Sequence, residues 1–235
     1  LKEAGFLSSE SLFGDKFPKQ PYKSLAVLGA GPIGVEFAHV LDSAGTDVTI
    51  IQHNVRLVPK EDADMSEHLL NNYRERGINI ILNQDTVEVR QEDGLKVVVT
   101  KDRTTGEITE TKVEEILVAA GIRPATEELH LKNTGIETWS KGWIKTNEFL
   151  ETSVDGIYAL GDVNGEPAFR HRANYEADII AHNLYFAKNE ADFRWARYDV
   201  LPKVTFSYPE IGSVGLTEAE AIKAGYNVGV GKNFY

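Results

Sequence analysis

The sequence predicts an α/β fold, and three observations carry that prediction. The first is LAVLGAGPIGVEFA at residues 25–38: a short apolar strand, glycines at Gly29, Gly31 and Gly34, then an amphipathic helix beginning near Ile33. The second is TDVTII at 46–51, a β-branched run suited to a buried parallel strand, which completes strand, helix, strand. The third is the group TVEVRQ, LKVVVTK and EITETKV, separated by Asp93-Gly94 and by Thr104-Thr105-Gly106, which reads as an antiparallel meander. Together they give a Rossmann-like nucleotide-binding domain, a parallel sheet with a meander added.

The glycine triplet has a physical reading. Gly29 permits the tight turn, Gly31 lets the backbone approach a pyrophosphate, and Gly34 lets the helix pack close against the strand. The diphosphate then rests on the unpaired N–H groups and positive dipole end of the helix, whose first turn holds Pro32 and Ile33.

The remaining elements follow in order. Residues up to 23 are loosely patterned and read as a connector. Residues 62–76 alternate polar and apolar at helical spacing, and Gly77 stands where a C-cap belongs. INIIL at 78–82 is a third short buried strand, and after the meander EILVAAG at 115–121 returns to the parallel sheet. Further on, GWIKTN and GIYALGDV read as short strands around a loop, and a long helix is expected over 172–187. PKVTFSYPEIGSVG is strand-like and interrupted by Pro209. Thr217 with Glu220 forms a capping box for a last helix, which Gly225 stops. The final YNVGVGKNFY looks like a strand without a partner. No internal repeat or low-complexity segment is visible.

Composition narrows the function classes. The 235 residues carry a formal net charge of −11, which argues against nucleic acid and anionic membrane partners. No apolar stretch approaches a bilayer span, and the opening LKEAGFLSSE reads as neither signal nor transit peptide, so a cytoplasmic location is the expectation. Cysteine is absent, which removes disulfides, zinc thiolate sites and cysteine nucleophiles from this chain, and no metal site is expected. The first residue is Leu1 rather than Met, suggesting a processed or excised piece.

Four motifs carry a resemblance. GAGPIGVEFA, LVAAGIRPAT (117–126), TSVDGIYALGDV (152–163) and TFSYPEIGSVGLTEAEA (205–221) stand in the order and spacing of the pyridine nucleotide-disulfide oxidoreductases. The chain most resembles the dihydrolipoamide dehydrogenase, mercuric reductase and mycothione reductase branch. That resemblance implies the middle of a homodimeric flavoenzyme: a connector from the FAD domain at 1–23, an NAD(P)-binding domain at 24–147, a returning FAD-domain segment at 148–197 and the start of the interface domain at 198–235. The redox-active cysteine pair, most of the flavin site and the catalytic His-Glu pair of that family would lie in other parts of the parent. The chain alone is then expected to bind a dinucleotide without turnover, and no residue is assigned a catalytic role.

Residue by residue, the resemblance implies that Asp162, after Gly161, hydrogen-bonds the flavin ribityl chain. Phe169, Arg170 and His171 correspond to the helix start that faces the flavin pyrimidine. His171 is assigned position rather than chemistry. Glu36 matches a glutamate near the nicotinamide, and Gly121 a glycine where backbone passes close to the cofactor. Pro209 and Glu210 match the interface-domain signature.

Coenzyme choice turns on the end of the second strand, Gln52-His53-Asn54-Val55-Arg56. Gln52 can hydrogen-bond ribose hydroxyls but neither repels nor neutralises a 2′-phosphate, whereas His53 and Arg56 lean toward NADPH over NADH. Two other readings stay open. One is an NADH oxidase or coenzyme A disulfide reductase type of flavoenzyme with a single cysteine; the other is a non-redox nucleotide-binding module.

Overall fold

The computed structural model describes residues 3–14, 16–165 and 168–233. By its contacts the chain divides into two compact units, Leu1–Gly121 with Val204–Tyr235, and Ile122–Lys203. The first unit runs unbroken to residue 121 and resumes at 204. Residues 122–147 group with the segment that follows them, and residues from 204 onward group with the first unit.

In the first unit a short helix α1 (Ser9–Phe13) precedes β1 (Ser24–Leu28), α2 (Pro32–Ser43), β2 (Asp47–Ile51), α3 (Ala63–Glu75) and β3 (Asn79–Ile81). The meander β4 (Gln84–Glu92), β5 (Leu95–Asp102) and β6 (Ile108–Val113) leads into β7 (Glu115–Val118). The parallel sheet has the order β3-β2-β1-β7, and the meander forms its own antiparallel sheet in the order β4-β5-β6. Both sheets are as expected from the apolar runs and turn residues. Asp93 and Gly94 both adopt positive φ (52° and 80°), the geometry a two-residue hairpin turn requires.

Strand alternation divides the core into two layers. Leu25, Val27 and Ile50 face one side and pack with Val35, Ala38 and Leu41 of α2 and Leu69 and Tyr73 of α3. Ala26, Leu28, Ile51 and Ile116 face the other and pack with Val98 and Val113 of the meander. The parallel sheet is thus covered on both faces, which is why its strands read as near-continuous apolar runs.

The connector carries more structure than its loose pattern suggests. Ser8 and Ser11 form a capping box on α1. Leu7 pairs in parallel with Leu117 and is buried, so the connector extends the sheet beyond β7. Its N–H donates to the Ile116 carbonyl and its carbonyl accepts from Val118, both at 2.8 Å. A single β-bridge residue leaves no periodic signature, so this pairing is not readable in the sequence.

Around the second unit the expected strands GWIKTN and GIYALGDV reduce to isolated bridges, Thr138 with Ile144 and Glu151 with Tyr158. Helix α4 (Arg170–Tyr185) begins two residues earlier than expected and buries Arg172, Glu176, Ile179 and Ile180 at helical spacing. Leu150, Ile179 and Ile180 form this unit's apolar cluster. Strands β8 (Lys203–Thr205) and β9 (Ile211–Ser213) pair, and α5 (Glu218–Lys223) has the expected Thr217 and Glu220 capping box. The expected terminal strand is not formed over 226–233, and its last two residues lie outside the described residues.

Leu25 is fully buried in the central strand, whereas Val87 on the meander is 54 % exposed. Leu25→Ala is expected to cost about 2–5 kcal/mol and Val87→Ala no more than about 0.5 kcal/mol, read from urea unfolding of the two variants.

Candidate functional site

The β1–α2 turn is built by close backbone packing. Gly29 has φ +107°, its N–H donates to the Ile51 carbonyl at 2.8 Å, and a Cβ there would stand 2.5 Å from the Ala119 carbonyl oxygen. A Cβ on Gly34 would stand 2.0 Å from the Gly29 carbonyl oxygen. Both positions are closed to any side chain. Gly31 differs: its φ is −73°, and a Cβ there would meet no atom within 4 Å. The turn therefore leaves open space ahead of the helix at the one glycine that neither conformation nor protein packing requires.

Helix α2 starts at Pro32, whose missing N–H costs nothing in a first turn, and Gly31 at the N-cap offers no side chain to satisfy the helix end. The Val35 N–H closes onto the Gly31 carbonyl at 3.1 Å, while Ile33 and Gly34 lie in the first turn, where amides have no helical partner. A cradle of free amides, a positive helix end and empty volume fits a diphosphate.

Past β2, Gln52 is buried and its amide is used internally. Its Oε1 accepts from the Ala30 N–H at 3.2 Å and its Nε2 donates to the Arg56 carbonyl at 3.3 Å. Gln52 thus braces the glycine turn against the following loop, a role that its position as a ribose candidate does not reveal. His53 is exposed and pairs through Nδ1 with Asp85 at 2.8 Å, and Arg103 donates to the His53 carbonyl at 3.3 Å. Arg56 donates to the Pro59 carbonyl at 2.9 Å. The meander thereby contributes Asp85 and Arg103 beside the end of β2, residues that the sequence separates from it by about thirty and fifty positions.

Glu36 is half-buried on α2 and accepts the Phe206 N–H at 2.8 Å. Burial raises its carboxyl above the ordinary range, and the Phe206 hydrogen bond opposes part of that rise. Nearby, Tyr73 donates to the Val35 carbonyl at 2.7 Å, and its burial raises the phenol well above its usual range. Tyr208 stacks on His39 at 5.6 Å with the Arg76 guanidinium 5.5 Å over its ring. The 204–235 segment is therefore anchored on α2 and α3, with Glu36 one of its fastenings. Gly121 closes this unit, exposed, with φ +128°.

In the second unit Gly161 and Asp162 open a 3₁₀ turn, Gly161–Asn164. Gly161 has φ +73°, and a Cβ there would stand 3.2 Å from the Ala173 Cβ of α4. The Asp162 side chain is exposed. Phe169 is the N-cap of α4 with no side-chain cap, Arg170 is exposed in the first turn, and His171 stacks on Phe169 at 5.2 Å. His171 Nε2 is buried without a hydrogen-bond partner among the described residues. The glycine turn with Glu36, Gln52, His53 and Gly121 thus belongs to one unit, and Gly161, Asp162, Phe169, Arg170 and His171 to the other.

The model of the pyridine nucleotide-disulphide oxidoreductases matches residues 4–177, and the model of their dimerisation domain matches 201–235. The chain belongs to this family. Among its relatives, a mercuric reductase of Staphylococcus aureus is 36 % identical over 229 residues, covering 97 % of the chain and 40 % of the relative. A dihydrolipoyl dehydrogenase of Corynebacterium glutamicum is 34 % identical over 200 residues, covering 85 % of the chain and 42 % of the relative. A solved structure of the HOCl-induced flavoprotein disulfide reductase RclA from Escherichia coli, a Cu(II) complex, superposes with TM-score 0.80 at 30 % identity, covering 93 % of this chain and 47 % of that one. The chain spans less than half the length of these relatives. The family uses FAD and NAD(P)H. Among the described residues no helix is long and apolar enough to cross a membrane.

The raised Glu36 carboxyl gives a signed pH test. A group whose folded pKa lies above its unfolded value contributes stability at pH below the unfolded pKa and loses it as pH rises through the folded one. Glu36→Gln keeps an acceptor for Phe206 and removes the buried charge. The variant is expected to gain melting temperature over the parent sequence at pH 7, by no more than about 2–4 °C, with the gain shrinking toward pH 4 in paired calorimetric scans.

Proposed function

We propose that this chain is the NAD(P)H-holding portion of an FAD-dependent disulfide oxidoreductase. The observation that supports it most is the contrast within the glycine triplet. Two glycines are demanded by packing, and the third keeps open the space that a diphosphate would fill. The first-turn amides of α2 hold the diphosphate, Gln52 keeps the turn rigid from behind, and His53 with Arg56 borders the adenosine ribose. Glu36 lies at the nicotinamide side of α2, and Gly121 gives the backbone a left-handed turn where it passes the cofactor.

In the whole enzyme, bound NAD(P)H supplies a hydride to FAD, whose electrons go on to a disulfide or metal acceptor. The residues of this chain contribute binding, orientation and electrostatics. Asp162 would hold the ribityl chain through its exposed carboxylate, and the uncapped start of α4 at Phe169, Arg170 and His171 would offer its positive dipole end to the flavin pyrimidine. The chain contains no cysteine, so thiol exchange falls to other parts of the parent. Residues 201–235, which match the dimerisation domain, would open a homodimer interface, and the location is proposed to be cytoplasmic.

NADPH is the preferred coenzyme in this reading. His53 and Arg56 supply positive or hydrogen-bonding groups beside the ribose, with Arg103 of the meander adding another, while Asp85 offsets part of that charge.

Gly31→Ala separates folding from binding. Its φ suits alanine and its Cβ meets no protein atom, so unfolding should be unchanged while affinity for NADPH falls roughly tenfold or more. Isothermal titration with NADPH and with NADH, on the chain and on the variant, checks both the site and the coenzyme. Equal affinity in chain and variant would contradict the assignment. The chain itself should show no steady NAD(P)H-dependent disulfide reduction.

A further inference from the structure

One ion pair in the second unit is buried with no part in the proposed chemistry. Arg172 and Glu176, one turn apart on α4, pair at 2.8 Å with side chains 4 % and 0 % exposed. Glu176 Oε2 accepts the Gly161 N–H at 2.5 Å. Arg172 donates through Nη1 to the Gly165 carbonyl and through Nη2 to Asn164 Oδ1, each at 2.5 Å. The pair therefore grips both ends of the turn that carries Asp162. Tyr198 completes the arrangement: its hydroxyl donates to Glu176 Oε1 at 2.5 Å, and its ring lies 4.8 Å from the Arg172 guanidinium. Burial and that hydrogen bond push the Tyr198 phenol up to about 12.

Stability alone does not account for such a pair. Desolvating two charges is costly, and apolar residues of similar volume often serve a core as well or better. What the pair supplies and apolar residues cannot is a fixed backbone at Gly161 and at Gly165. Asp162 lies between those points with its carboxylate exposed, so its direction is set by the turn. Gly161 has to be glycine for the same reason, because its positive φ and its closeness to Ala173 let the turn lie against α4.

We infer that Arg172 and Glu176 are positioning residues for the flavin: they clamp the 161–165 turn so that Asp162 is preset to receive the ribityl hydroxyls. This rests on the flavin reading of Asp162 given above. The clamp touches no substrate or cofactor. Its effect is on FAD affinity and on the asymmetry of the bound flavin's surroundings, while nucleotide binding at Gly31 is independent of it.

The test uses the full-length flavoprotein, stripped of FAD and reconstituted. Three variants are compared: Asp162→Asn, the apolar double replacement Arg172→Met with Glu176→Leu, and Tyr198→Phe, which removes one hydrogen bond to Glu176. Measured are apoprotein melting temperature, FAD dissociation constant by flavin fluorescence, the visible circular dichroism of bound flavin, and hydrogen exchange at the Gly161 amide in the apoprotein. Expected for the double variant are an apoprotein that still melts cooperatively, a Gly161 amide exchanging at least tenfold faster, at least tenfold weaker FAD and an altered flavin dichroism. Tyr198→Phe should weaken FAD twofold to fivefold, with an apoprotein that still melts cooperatively at a modestly lower temperature. Where the double variant does not fold, Tyr198→Phe decides: FAD bound as tightly as by the parent overturns the clamp. A folded double variant with parental FAD affinity and dichroism, beside an Asp162→Asn that loses FAD, also overturns it. Parental FAD affinity in Asp162→Asn overturns the flavin reading itself.

Discussion

Where β1 turns into α2, the helix lies so close to the strand that a single Cβ on Gly34 would stand 2.0 Å from the Gly29 carbonyl oxygen. The rest of the first unit is arranged around that approach. It requires Gly29 to adopt positive φ, and it seats Gly29 against the backbone of Ala119 and Ala120 just past the end of β7. It brings Val35 and Ala38 down onto Leu25 and Val27, and it directs the helix N-terminus at the space beyond the sheet. Fold and candidate site are thus consequences of the same backbone contact.

A second shell keeps the turn from relaxing. Gln52 bonds Ala30 from the end of β2, and the Ala30 carbonyl accepts from Val58 at 2.8 Å. The loop after β2 is thereby tied to the loop before α2. Glu36 and Tyr73 extend the ties to the segment after residue 204, through Phe206 and Tyr208. The Asp162 turn of the other unit is organised by a different device, a buried ion pair gripping the backbone. In one case glycine removes side chains to leave open space at a helix start; in the other, charged side chains are buried to hold a turn.

Much of this was legible in the sequence wherever a periodic or local signal existed. The parallel strands are continuous apolar runs because both faces are covered, and the meander shows in its turn residues and in the β-branched run of its central strand, which is buried from Lys96 to Thr100. Turns with Gly77, Asp93-Gly94 and Gly225 follow from positive φ, a purely local requirement. What escaped depends on contacts distant in sequence. Leu7 joins the sheet as a single bridge, Gln52 turns inward to serve Ala30, and Asp85 and Arg103 arrive beside His53 from the meander. GWIKTN and GIYALGDV carry strand-like composition, but only isolated bridges form there. The burial of Arg172 and Glu176 is a tertiary property, since spacing alone does not say which face of α4 is buried.

The central claim is that the first turn of α2 binds the diphosphate of a dinucleotide. Amide shift mapping of the isotope-labelled chain during an NADPH titration tests it directly. The account predicts saturable shifts largest at Gly31, Ile33 and Gly34, with little change at Ala30, whose N–H is already held by Gln52. Saturable binding that leaves those three amides unmoved would contradict it.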